Sequence, residues 1–203
     1  MKNIPNERER IKNPLIVEDL LPLDKSIVLI TGVAISGKST FRRALFDYLK
    51  DKGKAVEHYD ADNFRKIRHP LDKLCLKQLP GKFNDKIYLI EDIHAPLSKG
   101  AIMPISDYNE IFYVLPDLKS HNMFWAQRML NWYENGNFSW EADSGWSGTG
   151  KKRDPANIEG IVNAYLHDME NREKWIKEDL DVVSKYPNKI VKSAWTKEGP
   201  VFY

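Results

Sequence analysis

Apolar positions along the chain follow two spacings. Short continuous runs at 26–31 (SIVLIT), 86–90 and 110–115 predict strands buried on both faces, as in a parallel sheet. Elsewhere the apolar residues recur at helical spacing. Phe41, Ala44, Leu45, Tyr48 and Leu49 predict a helix over 39–50, closed by Gly53. A second strand is expected at 54–59, and Leu71, Leu74, Cys75 and Leu79 predict a small helix ended by Pro80–Gly81. A helix is predicted over 119–134. Another should begin at the Asp154–Pro155 cap and run to about 185 through Ile158, Ile161, Tyr165, Ile176, Leu180 and Val183, with room for a break. A last strand at 189–194 and a tail close the chain. Residues 135–152, rich in Gly, Ser and Trp, lack a period and predict a loop. Residues 1–25, with prolines at 5, 14 and 22, read as an extension lying on a domain formed by 26–203, with a short helix expected at 17–21. Strands alternating with helices imply an α/β fold: a parallel sheet of about five strands between layers of helices.

Composition narrows the setting. At 203 residues and 42% apolar, the chain suits one domain with a full core. A lone Cys75 cannot form an internal disulfide, the opening MKNIPNERER lacks the apolar stretch of a secretory signal, and the apolar runs are far too short to cross a bilayer. A cytoplasmic location without a membrane partner is the expectation. The formal net charge of +2 is uninformative until it is resolved along the chain.

Directly after the first strand stands Gly32-Val33-Ala34-Ile35-Ser36-Gly37-Lys38-Ser39, which fits G-x-x-x-x-G-K-[ST], followed by Thr40. The glycines let the backbone curl so that its N–H groups point at phosphate oxygens. Lys38 supplies a point charge to the β and γ phosphates, and the Ser39 hydroxyl ligates Mg²⁺. Four fixed positions match by chance in on the order of one chain in a hundred. Here the match also falls between an apolar strand and an amphipathic helix, as the chemistry requires. ATP with Mg²⁺ is the implied ligand, bound by residues 32–40, and the fold is that of a P-loop NTPase.

The second strand ends in Asp60-Ala61-Asp62-Asn63-Phe64-Arg65. The carboxyl edge of an open parallel sheet faces the ligand crevice. A carboxylate there can orient or deprotonate an attacking hydroxyl, and an arginine one helical turn later can clamp a substrate phosphate. With the phosphate loop, this D-x-D-x-x-R resembles P-loop kinases of the polynucleotide kinase, adenylylsulfate kinase and zeta-toxin group. The resemblance covers roughly residues 26–135. It implies that Asp62 is the general base, that Arg65, with Asp60 beside it, binds substrate, and that Lys38 and Ser39 contact ATP and Mg²⁺. It also implies a helical lid over about 117–154, whose Arg128 matches the arginine that neutralises transition-state charge. The extension at 1–25 is not part of the family's pattern, and the segment 136–154 is longer than a minimal lid.

The third strand ends in Glu91-Asp92, and alternation lets only one of them face the nucleotide; Glu91 is the expected one, holding a Mg²⁺-bound water. His94 and His121 are expected to serve structural hydrogen bonds rather than substrate. Residues 124–146 hold four of the six tryptophans: Trp125 and Trp132 fall on a helical face expected to pack onto the domain, and Trp140 and Trp146 on a polar loop, where plain packing is the first reading and base stacking the alternative. Guanine-specific readouts are missing, since the only Asn-Lys pair, Asn188–Lys189, is followed by Ile-Val. The charge balance is a cancellation. Residues 63–86 carry seven Lys/Arg against two Asp, and residues 157–181 carry seven acids against three bases. A basic stretch where the acceptor should enter favours a polyanion. The expectation is transfer of the γ-phosphate to a hydroxyl of nucleic acid, at a polynucleotide end or on a hydroxylated base in DNA as in phage kinases that act on 5-hydroxymethyluracil. A free nucleotide or small conjugate as acceptor, and a non-catalytic ATP- and nucleic-acid-binding module, are the alternatives.

Overall fold

The computed structural model of the chain describes residues 7–60, 85–92, 103–135 and 158–203, with the backbone alone described for 127–135, 158–161 and 164. Six strands form one sheet: β1 (Ser26–Thr31), β2 (Val56–Asp60), β3 (Ile87–Glu91), β4 (Glu110–Pro116), β5 (Asn188–Thr196) and β6 (Gly199–Phe202). Their order is β2-β3-β1-β4-β5-β6. The first five are mutually parallel, and β6 runs antiparallel to β5. Three α-helices are described: α1 (Lys38–Asp51), α2 (Leu118–Asn135) and α3 (Ile158–Val183).

The apolar runs sit where continuous hydrophobicity demands, in strands covered on both faces. Alternation sends Val28, Ile30, Leu89, Phe112, Val114 and Val191 to one face, against Phe41, Ala44, Leu45 and Leu49 of α1. Ile27, Leu29, Tyr88, Ile90, Ile111 and Tyr113 go to the other, against Ile176, Leu180 and Val183 of α3. Each such side chain, fully buried, contributes about 1.5–3 kcal/mol. Gly53, at φ 76°, ends α1 in the left-handed conformation that a glycine adopts without penalty, and its N–H returns to the Lys50 carbonyl at 2.9 Å.

Two differences from the sequence expectations stand out. The tail after the fifth strand pairs as β6. Four residues containing Gly and Pro carry little strand signal, but Phe202 is fully buried with its ring 5.0 Å from that of Phe41. Tertiary burial decides the pairing. The late helix has no break: α3 is continuous over 26 residues. The extension lies on the domain as expected, with residues 7–20 forming two short 3-10 segments, Glu7–Arg10 and Pro14–Leu20, the second overlapping the helix expected at 17–21. Val17 and Leu20 enter the α1-side core, the Lys12 N–H donates to the Phe202 carbonyl at 2.7 Å, and Arg43 on α1 bonds Glu7 at 2.9 Å. The predicted helix around 71–79, the loop at 136–152 and the Asp154–Pro155 cap lie outside the described residues.

Candidate functional site

Strand register brings the chemistry to one edge. Asp60 at the end of β2 pairs with Glu91 at the end of β3, and Glu91 with Ile30 of β1, one residue before Thr31 and the phosphate loop. Residues 32–37 turn from β1 into α1. Gly32 has φ 142°, and a Cβ there would lie 2.6 Å from the Val114 carbonyl oxygen, so only glycine lets the loop pass this close to β4. Gly37, at φ 96°, precedes the first residue of α1. Ile35 has φ 58°, a left-handed conformation that a β-branched residue adopts only when its surroundings impose it.

Lys38 is buried at the helix start, and its Nζ donates to the Val33 carbonyl at 2.6 Å across the mouth of the loop. Beside it, the Ser39 hydroxyl donates to Glu91 Oε1 at 2.6 Å, while Arg42 Nε donates to Glu91 Oε2 at 2.9 Å. Arg42 also stands 4.0 Å from Asp60. Burial pushes the Glu91 carboxyl above its ordinary value, and the cations of Lys38 and Arg42 with the Ser39 hydrogen bond pull it back. The Thr40 hydroxyl is 3.5 Å from Arg43. Asp92 is also buried, and its N–H donates to the Ile30 carbonyl at 3.0 Å.

Lys38, Ser39 and Glu91 therefore converge at the N-terminus of α1, with Asp60 across Arg42 from them. The Ser39 hydroxyl and the Glu91 carboxylate are a pair of hard oxygen donors, the kind a Mg²⁺ arriving with phosphate accepts directly or through water. Among the described residues, no group of three or more His, Cys, Asp and Glu could hold a metal by itself. Asp62 and Arg65 lie outside the described residues, as do His94, Trp140, Trp146 and all but the last two positions of the basic stretch 63–86. Arg128 falls on α2, where only the backbone is described.

The first two turns of the predicted lid helix are fixed in place. His121 is fully buried, with its Nε2 3.1 Å from the Ala34 carbonyl, and Trp125 is 3% exposed. Burial, with the Arg172 cation as the next cause, holds the His121 ring down at about 3. The Trp125 indole N–H donates to Asp168 at 3.0 Å, and Arg172 binds Asp168 at 2.5 Å and the Asn122 side-chain oxygen at 2.7 Å, joining α2 to α3. Sequence reasoning missed Arg42. The available signal was its position, one helical turn after Ser39 on the same face. The Ser193 hydroxyl, which donates to the Ser36 carbonyl at 2.7 Å, had no sequence signal at all.

The adenylylsulphate kinase family model matches residues 24–84, which span β1, the phosphate loop, α1, β2 and the D-x-D-x-x-R turn. No curated protein matches the chain. Among solved structures, the chain is similar to a shikimate kinase from Bacteroides thetaiotaomicron (11% identity, 82% of this chain and 85% of that one, TM-score 0.43). It is likewise similar to a possible uridine kinase from Bacillus stearothermophilus (13% identity, 82% and 95%, TM-score 0.38). Both likenesses are distant. The loop motif, its seat between β1 and α1, and the mostly parallel sheet give the chain a P-loop NTPase-type α/β fold, and the family model matches under a third of its length. No helix among the described residues is long and apolar enough to cross a membrane.

Proposed function

We propose that the chain is an ATP-dependent phosphotransferase with an alcohol acceptor. The carrying observation is the coupling of the phosphate loop to the acidic turn, both inside the one stretch matched by the adenylylsulphate kinase model. Residues 32–40 hold the triphosphate by backbone N–H groups and the positive end of α1. Ser39 and Glu91 hold Mg²⁺, which when bound offsets the charge of the β and γ phosphates. Asp62 takes the proton of the acceptor hydroxyl as its oxygen bonds to the γ-phosphorus and the bond to the β–γ bridging oxygen breaks, releasing ADP. Arg65 and Asp60 orient the acceptor, and Lys38 and Arg128 stabilise the charge on the transferring group.

Two acceptor classes have an observation each. The seven basic residues of 63–86, directly after the acidic turn, favour nucleic acid. The adenylylsulphate kinase match over the same residues favours a small nucleotide conjugate. γ-Labelled ATP offered with single-stranded DNA, RNA, hydroxymethylated DNA and small nucleotides side by side decides between them. Lys38→Ala should abolish transfer. Asp62→Asn should lower kcat by about a hundredfold or more with little change in ATP binding. Arg65→Ala should chiefly raise the acceptor KM. Equal ATP consumption with and without every acceptor, unchanged in Asp62→Asn, would leave a non-catalytic binding module as the reading.

A further inference from the structure

The phosphate loop is held by side chains of two elements that take no part in the motif. The buried His121 of α2 meets the Ala34 carbonyl at 3.1 Å. The buried Ser193 hydroxyl of β5 donates to the Ser36 carbonyl at 2.7 Å. His121 Nδ1 has no hydrogen-bond partner among the described residues, and Nε2 faces the carbonyl, so the proton resides on Nε2 and the ring is a donor. Between the two braced carbonyls lies Ile35, the one non-glycine residue with positive φ among those described. A left-handed conformation at such a residue costs about 1–2 kcal/mol and relaxes unless its neighbours are held.

We infer that His121 and Ser193 are positioning residues for nucleotide binding: by taking the loop's carbonyls outward they keep Ile35 in its strained conformation and leave the loop N–H groups free for phosphate. Neither residue touches the nucleotide. Each acts through the peptide it holds, and the affinity it confers is the reorganisation the loop no longer undergoes on binding. His121 is itself carried rigidly. Two residues later on the same helix, Met123 is 69% exposed, whereas Asn122 and Trp125 are tied to the buried Arg172–Asp168 pair of α3. The bracing therefore transmits the docking of α3 to the loop.

The inference rests on the proposed nucleotide site, so the readout is equilibrium binding of Mg-ADP and of pyrophosphate to the full chain, measured by calorimetry beside thermal melting. His121→Phe keeps the ring's volume and removes the donor. It should weaken Mg-ADP binding about tenfold or more, since the unbraced loop relaxes in the free protein and must be reordered on binding. His121→Gln, which retains an N–H donor, should recover most of that loss. Ser193→Ala should weaken binding about fivefold and needs no repacking, so it carries the test if His121→Phe does not fold. A residue that only supported the fold would lower the melting temperature and leave affinity at 25 °C unchanged. That result in both His121→Phe and Ser193→Ala, or in Ser193→Ala alone if the other variant does not fold, overturns the inference while the nucleotide site stands. A wild-type chain that binds neither Mg-ADP nor pyrophosphate overturns the nucleotide reading and the bracing with it.

Discussion

His121 enters the protein as a neutral ring, and that has a consequence for stability that is separate from nucleotide binding. Burial is the main cause and Arg172 of α3 the next, with Lys38 adding to it, while the Ala34 carbonyl works in the opposite direction; together they place the ring at about 3 against 6.5 in the unfolded chain. A base depressed by folding binds fewer protons in the native state. Its contribution is complete above about pH 6.5 and is lost as pH falls toward 3, by up to roughly 4 kcal/mol. The wild-type chain should therefore lose stability between pH 6.5 and 3 more steeply than His121→Gln, as urea midpoints across that range would record. Parallel slopes for the two chains would contradict the buried neutral ring. In the sequence His121 was an isolated histidine at the start of a helix, and a structural hydrogen bond was the expected role. Its partner could not be read, because Ala34 is 87 residues away and a backbone carbonyl leaves no mark in composition. The places of Lys38 and Ser39 were legible for the opposite reason. Local spacing sets them at the start of α1, directly after Gly37.

Elements show the same division. The helical period of α1 and the unbroken apolar runs of β1, β3 and β4 were readable because burial of whole faces determines them. The apolar side of α3, with Ile176, Leu180 and Val183, was readable in the same way, but its inward acids were not. Counted only as part of an acidic stretch, Asp168 and Asp179 are both buried, the first paired with Arg172 one turn on and the second accepting the Tyr113 hydroxyl at 3.1 Å. Apolar periodicity cannot reveal a charge that turns inward to meet another charge. The Asp168–Arg172 pair also makes a prediction about how α2 is held. Asp168→Ala leaves the Arg172 guanidinium buried without its carboxylate and deprives the Trp125 indole of its acceptor, which should cost about 3–5 kcal/mol. Trp125→Phe removes only one hydrogen bond and part of a ring, and should cost less. Urea denaturation of both variants checks the order. A loss below about 1 kcal/mol for Asp168→Ala would mean that the pair does not hold the helices together.

At the scale of the molecule, segments far apart in sequence meet beside the phosphate loop. Arg10 donates to the Pro200 and Glu198 carbonyls, Ile11 bridges to Phe202, and Pro200 and Phe202 stand 3.3 and 3.4 Å from where a Cβ on Gly37 would be. One flank of the phosphate loop is thus built from segments that sequence patterning could only describe as an extension and a tail. Charge bears on the acceptor instead. The net charge of +2 combines a strongly basic stretch at 63–86 with an acidic one at 157–181, but two of the seven acids in the latter are buried and the basic stretch stands almost entirely outside the described residues. Salt separates the acceptor classes without requiring the position of any single lysine. If about three of those cations meet the phosphates of a single-stranded polynucleotide, raising salt from about 50 to 200 mM should increase the acceptor KM by about tenfold or more, through counterion release. A small nucleotide conjugate has no condensed counterion atmosphere to release, and its KM should rise by only about threefold or less over the same range. Replacing Lys73, Lys77 and Lys82 by Gln should flatten the slope for a polynucleotide and leave the ATP KM alone. A steep wild-type slope that survives those replacements would place the polyanion contacts elsewhere on the protein, and a flat one would favour the small acceptor.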